Sequence, residues 1–299
     1  MKKLIVLLLA FALVGAVFAE DKPAALTFGS YMEAYGDFTQ GTANTLYNET
    51  YLNYSSGGVA LSATVVAGED LFAQVRNYAL SYQLMPAVKV YFGRLRETGG
   101  ARLTSYIDGN GFSTRIANVQ NGLMFTAADK GFGIALFSPL DTAANTNFGA
   151  SVSLPNVAKF VGGYRGGNGE LWVGADVSAL KNVTARVGYK YLTGTKASYV
   201  YATVGSSKLV KDLDLGVDAN IVIGSGYGVK GKVEYSADPY AVGVLASYDN
   251  GSDTWYKNGG FNINPYVKLN YAQGDVCVGI SYDVASATFG VPFYCELWY

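Results

Sequence analysis

The chain has no histidine and only two cysteines, Cys277 and Cys295. Histidine is the commonest general acid–base group, so a serine nucleophile would need another base, and no Ser–Lys arrangement stands out. Two isolated cysteines without histidine also make no zinc site. Long apolar runs are missing after the first seventeen residues. None approaches the roughly 18 residues that a spanning helix needs. Charge is scarce, at 15% of residues, and nearly balanced at −1. That balance excludes a nucleic-acid partner. The glycine-rich stretch Gly224-Ser225-Gly226-Tyr227-Gly228 lies between two strand patterns and opens no helix, so it reads as a turn rather than a phosphate loop.

The chain is rich in tyrosine and glycine, with 24 Tyr and 37 Gly. This composition suits many short strands, tight turns and interfacial aromatic belts. The N-terminus has its own pattern. Met1-Lys2-Lys3 is basic, Leu4 to Val17 is almost unbroken apolar sequence, and Val17-Phe18-Ala19 has small residues at the positions of a cleavage site. Residues 1–19 are therefore expected to be a secretory signal peptide, and 20–299 a single domain without a linker.

Within 20–299 apolar residues fall at every second position. Leu213, Leu215, Val217, Ala219 and Ile221 alternate with Asp214, Gly216, Asp218 and Asn220. Tyr227, Val229, Val233 and Tyr235 alternate with Lys230, Lys232 and Glu234, and Phe261, Val267 and Tyr271 belong to a stripe that alternates with Asn262, Asn264 and Lys268. Successive strand side chains point to opposite faces, so each strand has one apolar and one polar face. Aromatics bracket the apolar stripes at spacings of about nine to eleven residues, the length a tilted strand needs to cross a bilayer. A soluble sandwich core would favour aromatics at mid-strand; girdles at both ends favour a transmembrane barrel. The pattern predicts an all-β, antiparallel transmembrane β-barrel of about eighteen strands, with sixteen as the alternative. The periodicity is weakest near 58–83 and 146–165. Short connections alternate with long ones, as periplasmic turns alternate with outer loops.

The last segment carries a resemblance. Phe289, Val291, Phe293, Cys295, Leu297 and Tyr299 form an apolar stripe that ends on an aromatic. This resembles the C-terminal assembly signal of bacterial outer-membrane β-barrels. It implies closure of the last strand on the first, contact with the barrel-assembly machinery through that strand, and residence in outer-membrane lipid. Two further segments resemble the bacterial porin family: Val88-Lys89-Val90-Tyr91-Phe92-Gly93-Arg94 and Arg115-Ile116-Ala117-Asn118-Val119-Gln120-Asn121-Gly122-Leu123-Met124-Phe125. In porins the loop after the fifth strand folds into the bore and narrows it. The resemblance thus implies a water-filled channel for small hydrophilic solutes and ions. Residues 98–115 would be its constriction loop, with Arg102, Asp108 and Arg115 on it, and a homotrimer is a possible assembly. The Pro-Glu-Phe-Gly-Gly type of constriction loop is absent, so an acidic constriction would rest on Asp108 and Glu97. The family's usual sixteen strands also differ from the count here.

The polar faces supply the candidate pore lining: Glu33, Arg76, Lys89, Arg94, Lys159, Asp176, Arg186, Lys190, Asp214, Asp218, Lys230, Lys232, Glu234 and Lys268. Charges facing lipid at mid-depth cost a few kcal/mol each, which directs them to the lumen. Arg76, Lys89 and Arg94 break the alternation, as a bulge would make them do. A barrel of sixteen or eighteen strands is too wide for side chains to fill, so a polar interior implies water. No cofactor and no catalytic residue is expected. The other readings are a substrate-specific channel, whose aromatic ladder would draw on Trp172, Tyr199 and Tyr201, and a surface adhesin or structural barrel. The oxygen-rich segments 108–111 and 249–253 read as solvated turns rather than Ca²⁺ sites. Cys277 and Cys295 fall on opposite strand faces, which predicts two free thiols.

Overall fold

A computed structural model describes residues 25–39, 45–68, 73–109, 115–140, 146–250 and 260–298. The expected signal peptide and Tyr299 lie outside the described residues, as does most of the 249–253 turn. The chain forms one closed antiparallel barrel of eighteen strands. They are β1 (Ala25–Asp37), β2 (Thr45–Ser56), β3 (Val59–Ala67), β4 (Gln74–Met85), β5 (Val88–Glu97) and β6 (Ala117–Asp129). Next come β7 (Phe132–Pro139), β8 (Asn147–Leu154), β9 (Ala158–Arg165), β10 (Glu170–Val177), β11 (Thr184–Leu192) and β12 (Ala197–Val210). The last six are β13 (Leu213–Val222), β14 (Gly226–Ala237), β15 (Tyr240–Asp249), β16 (Gly260–Tyr271), β17 and β18. The final two are each interrupted once. β17 is Gly274–Gly279 continued by Ser281–Asp283, and β18 is Thr288–Gly290 continued by Pro292–Trp298.

Each strand pairs with the next, and β18 pairs with β1 to close the ring, from Tyr31↔Trp298 to Asp37↔Pro292. Closure satisfies every strand edge within the sheet, which is the condition for spanning lipid. Register fixes the faces. Leu215, Val233, Val244 and Pro265 lie directly opposite one another on successive strands, as do Asp214, Glu234, Gly243 and Tyr266 one residue away. The first row is on the outer face. Val233, Val244, Val267 and Ile280 are 51%, 40%, 54% and 48% exposed, although all are large and apolar. A water-soluble barrel would not leave such a belt bare, whereas a bilayer covers it.

The connections at one end are tight. Ser56 leads to Val59 through Gly57 at φ 57°, and Asp129 leads to Phe132 through Gly131 at φ 85°. These left-handed positions suit residues without a Cβ. The long segments 98–116 and 250–259 leave from the opposite end. Where the alternation fails, a bulge is present. Arg76 is skipped in the β3–β4 register between Thr64↔Asn77 and Val65↔Val75, which turns its side chain inward. β12 runs on to Val210 across an irregularity between Ser206 and Val210.

Candidate functional site: a bore divided by an inward loop

The chain leaves β5 and turns at once. Gly99 and Gly100 have φ of 56° and 83°, and Ala101 donates its N–H to the Thr98 carbonyl at 3.1 Å. The segment then crosses the inner wall instead of rising into solvent. Ala101, Leu103, Ser105 and Ile116 are buried. The wall is built to receive them. Gly149 of β8 faces Ile116 and Ala101, Gly174 of β10 faces Leu103, and Gly205 of β12 and Gly216 of β13 face the ring of Tyr106. A Cβ on any of the four would fall 2.2–2.6 Å from the loop side chain above it. Inward glycines on β8, β10, β12 and β13 thus leave a groove in which the loop lies.

Hydrogen bonds fix the loop in that groove. Asp218, fully buried, accepts the backbone N–H of Tyr106 at 3.0 Å and of Ile107 at 3.1 Å, and also the Thr203 hydroxyl. Thr203 Oγ1 accepts from Tyr106 N at 2.9 Å. Arg186 donates to the Thr104 carbonyl and hydroxyl at 2.9 and 3.0 Å while pairing with Asp176 at 2.9 Å. Tyr106 donates its hydroxyl to Asp214. Burial, and then this carboxylate, push the Tyr106 phenol up to about 12, so it stays a protonated donor at neutral pH. At the far end of the described loop, Asp108 pairs with Lys230 at 2.6 Å. Arg102 reaches the Gly109 carbonyl at 3.5 Å. Residues 110–114 lie outside the described residues.

Under and beside the loop the interior is packed. Leu95, Ile116, Ala117, Met124, Ala135, Phe137 and Trp172 form one apolar cluster, and Ala101, Leu103, Val161 and Tyr201 another. Lys190 joins this side, 4.7 Å from the Tyr199 ring centre and 3.7 Å from Glu170, which also pairs with Arg165 at 2.9 Å. Lys159 sits opposite Asp176 on the same wall.

Across from the loop the interior is open. A cavity of about 900 Å³ lies between Ile107 and Asp108 and the inner faces of β14–β18. Lys230, Lys232, Glu234, Tyr266 and Lys268 line it together with Ser247, Asn262 and Asn264. Its cations are compensated: Lys230 by Asp108, Lys232 by Asp214 and Lys268 by Glu234 at 3.3 Å. Tyr266 donates its hydroxyl to the same Glu234 oxygen, Oε2, at 2.7 Å. On the closing seam, Glu33, Glu296 and Asp275 face one another across β1, β18 and β17, and Tyr31 lies within hydrogen-bond reach of Glu33 and Glu296 at 3.1 and 2.9 Å. A second cavity, of about 360 Å³, runs along β5 and the inner faces of β1–β4. Lys89 faces it from above the Tyr91 ring at 4.9 Å. Arg76, turned in by its bulge, pairs with Glu49.

Most of the charged positions expected from the sequence therefore converge on the interior. Arg94 is among the residues lining the smaller cavity, but its guanidinium is engaged by backbone carbonyls. It lies on the strand face opposite the buried Leu95, across from Tyr78 and Asn121, and bonds the Val119 and Val75 carbonyls at 3.4 and 3.5 Å. The cause is local: Gly93, at φ 142°, and the irregularity between Leu95 and Arg96 disturb the strand on both sides of it. Sequence reasoning missed Tyr106, Tyr266 and Glu170, and it missed the glycine groove. The groove's trace in the sequence is glycine at inward positions of β8, β10, β12 and β13, which by itself looks no different from glycine chosen for a turn. Both cysteines are free thiols: Cys277 is buried on the inner face, and Cys295 lies 3.7 Å from the Tyr271 hydroxyl.

No protein-family model matches this chain, and no curated protein matches it in sequence. Solved structures do. OccK5 (OpdH) of Pseudomonas aeruginosa superposes with a TM-score of 0.62 at 8% identity, covering 92% of this chain and 97% of that one. A variant of the porin of Rhodopseudomonas blastica superposes with a TM-score of 0.54 at 12% identity, over 93% and 100%. This chain has the porin-type outer-membrane barrel fold. The porin-type likeness is one of architecture, since identities this low carry the fold and nothing finer.

Proposed function

We propose that this chain is a porin of the bacterial outer membrane. It forms a water-filled channel for passive diffusion of small hydrophilic solutes and ions, narrowed by the loop at 98–115. One observation carries the reading. The loop is seated on one inner wall, and a polar cavity of about 900 Å³ stays open beside it. A closed structural barrel would fill that space, while an eighteen-strand ring is too wide to be filled by wall side chains alone. Arg102, Asp108 and Arg115 act at the constriction. Glu33, Arg76, Lys89, Lys159, Asp176, Arg186, Lys190, Asp214, Asp218, Lys230, Lys232, Glu234 and Lys268 act as the charged lining. The chemistry needs no cofactor and no catalytic group.

The passive reading is favoured over a substrate-specific slide by the burial of its best aromatic candidates. Trp172 and Tyr201 are 1% and 2% exposed, covered where a moving solute would have to touch them. The C-terminal strand is the segment that the barrel-assembly machinery would read, since Phe293, Cys295 and Leu297 form its outer stripe. A homotrimer is the assembly that the resemblance to porins implies. The test is swelling of liposomes that contain the full-length protein, in sugars of increasing size. Entry rates should fall smoothly with solute size and not saturate. Saturable entry of one sugar would overturn passive diffusion, and absence of swelling would overturn the channel.

A further inference from the structure

Every strand has a neighbour on both sides, yet β4 and β5 pair over only part of their shared length. β4 begins at Gln74 and β5 ends at Glu97, but their register starts at Tyr78↔Arg94 and runs from there to Met85↔Val88. Among the described residues, none of 74–77 pairs with any of 95–97. Each stretch is paired on its other side. Gln74, Val75 and Asn77 pair with β3, and Leu95, Arg96 and Glu97 pair with β6. A seam is therefore open between β4 and β5 at the loop end of the barrel. Backbone groups along such a seam lack the ladder partners that a spanning wall otherwise supplies.

A bulge lies on each side of the seam. Arg76 is skipped in β4. Val119 is skipped in β6, where the register jumps from Leu95↔Gln120 to Arg96↔Asn118. Val119 stands at φ 57°, a left-handed position that strains a β-branched residue. Such conformations persist only where the surroundings hold them. One side chain reaches both places. Arg94, on the last paired rung, donates from Nη1 to the Val75 carbonyl at 3.5 Å and from Nε to the Val119 carbonyl at 3.4 Å. Among the described residues, the bond to Val75 is the one hydrogen bond that crosses the seam above that rung. On the rung itself, the Tyr78 hydroxyl reaches Asn121 at 3.4 Å. The neighbours of Val75 are committed elsewhere. Arg76 donates to the Tyr47 hydroxyl at 2.6 Å and pairs with Glu49, both on β2, and Asn77 donates to Thr64 on β3 at 3.2 Å.

We propose that Arg94 is a positioning residue. Its guanidinium ties the two bulges together across β5, shuts the β4–β5 seam, and so keeps Arg76 turned into the bore against Glu49. A rigid planar group with several donors suits two carbonyls at once, whereas a lysine ammonium is a point charge on a flexible stem. The consequence for the bore rests on the channel reading above; the closure of the seam does not.

Hydrogen exchange of the full-length protein in detergent, read by mass spectrometry, tests the seam without needing a channel. In Arg94→Gln the amides of 74–77 and 95–97 should exchange about tenfold faster than in the wild type. Those of 230–235 and 242–246, in the intact β14–β15 ladder, should keep their rates. Arg94→Lys, the milder change, retains the charge and should still exchange faster at both stretches of the seam; it decides alone should Arg94→Gln fail to fold. Wild-type rates at the seam in either variant, or an equal rise in the β14–β15 ladder, overturn the proposal. Single-channel conductance in planar bilayers then reads the link to Arg76. Arg76→Gln should change the conductance of the wild type but not that of Arg94→Gln, in which Arg76 is no longer held in place. Equal changes in both backgrounds overturn the link. If the wild type carries no current, the channel reading fails, and the exchange rates still decide whether Arg94 shuts the seam.

Discussion

Two arcs of the bore, β6–β13 and β14–β18, are made from the same alternating strands, yet one is packed and the other is open. From β6 to β13 the inward positions carry glycine, alanine and buried aromatics beside charges tied to one another or to the loop, and the loop lies in the resulting groove. From β14 to β18 they carry lysine, glutamate, asparagine, serine and tyrosine, and a cavity stands in front of them. The outer faces of the two arcs are alike, both apolar and exposed. The difference teaches that the barrel wall is set by period-two alternation, while the shape of the bore is set by side-chain size at the inward positions. Removing side chains from one wall lets the chain's own loop occupy it, and the aqueous path is displaced to the other.

This contrast is open to direct attack by matched substitutions, one in each arc. Leu103→Ala removes a buried loop side chain over Gly174, and large-to-small changes at such sites cost about 2–5 kcal/mol. Leu245→Ala, in the open wall and half-exposed, should cost under about 1 kcal/mol. Equilibrium unfolding in urea from detergent micelles measures both, and equal losses would break the distinction between the arcs. Gly205→Val drives new methyl groups into the Tyr106 ring, where overpacking costs about 1–3 kcal/mol. Gly231→Val, on a strand face with nothing within 4 Å of the added carbon, should change stability by no more than about 0.5 kcal/mol. The same unfolding measurement sharpens the comparison. A destabilised Gly205→Val with an undisturbed Gly231→Val locates the loop in its groove.

The fold was largely legible in the sequence because bilayer and water impose opposite requirements on alternate residues. Leu215, Val233 and Val244 had to face one way and Asp214, Lys232 and Glu234 the other, and the register agrees. Legibility failed where the alternation itself fails. Arg76 and Arg94 sit beside irregular register, and their faces depend on whether one residue is skipped, which no residue type announces. The position of the loop was legible from its length and its place after β5. Its seating was not, because glycine at an inward position looks the same as glycine chosen for a turn. The same limit applies to Tyr106 and Glu170. Each is recognisable as functional only through partners distant in sequence, Asp214 in one case and Lys190 in the other.

The central claim is that the loop divides a conducting bore. It is tested most directly by single-channel conductance in planar bilayers of the full-length protein beside a variant in which residues 100–114 are replaced by a short glycine linker. The account predicts discrete open channels for the full-length protein and a several-fold larger conductance for the variant, since the groove between Gly149 and Gly216 then fills with water. Unchanged conductance in a folded, membrane-inserted variant would contradict it.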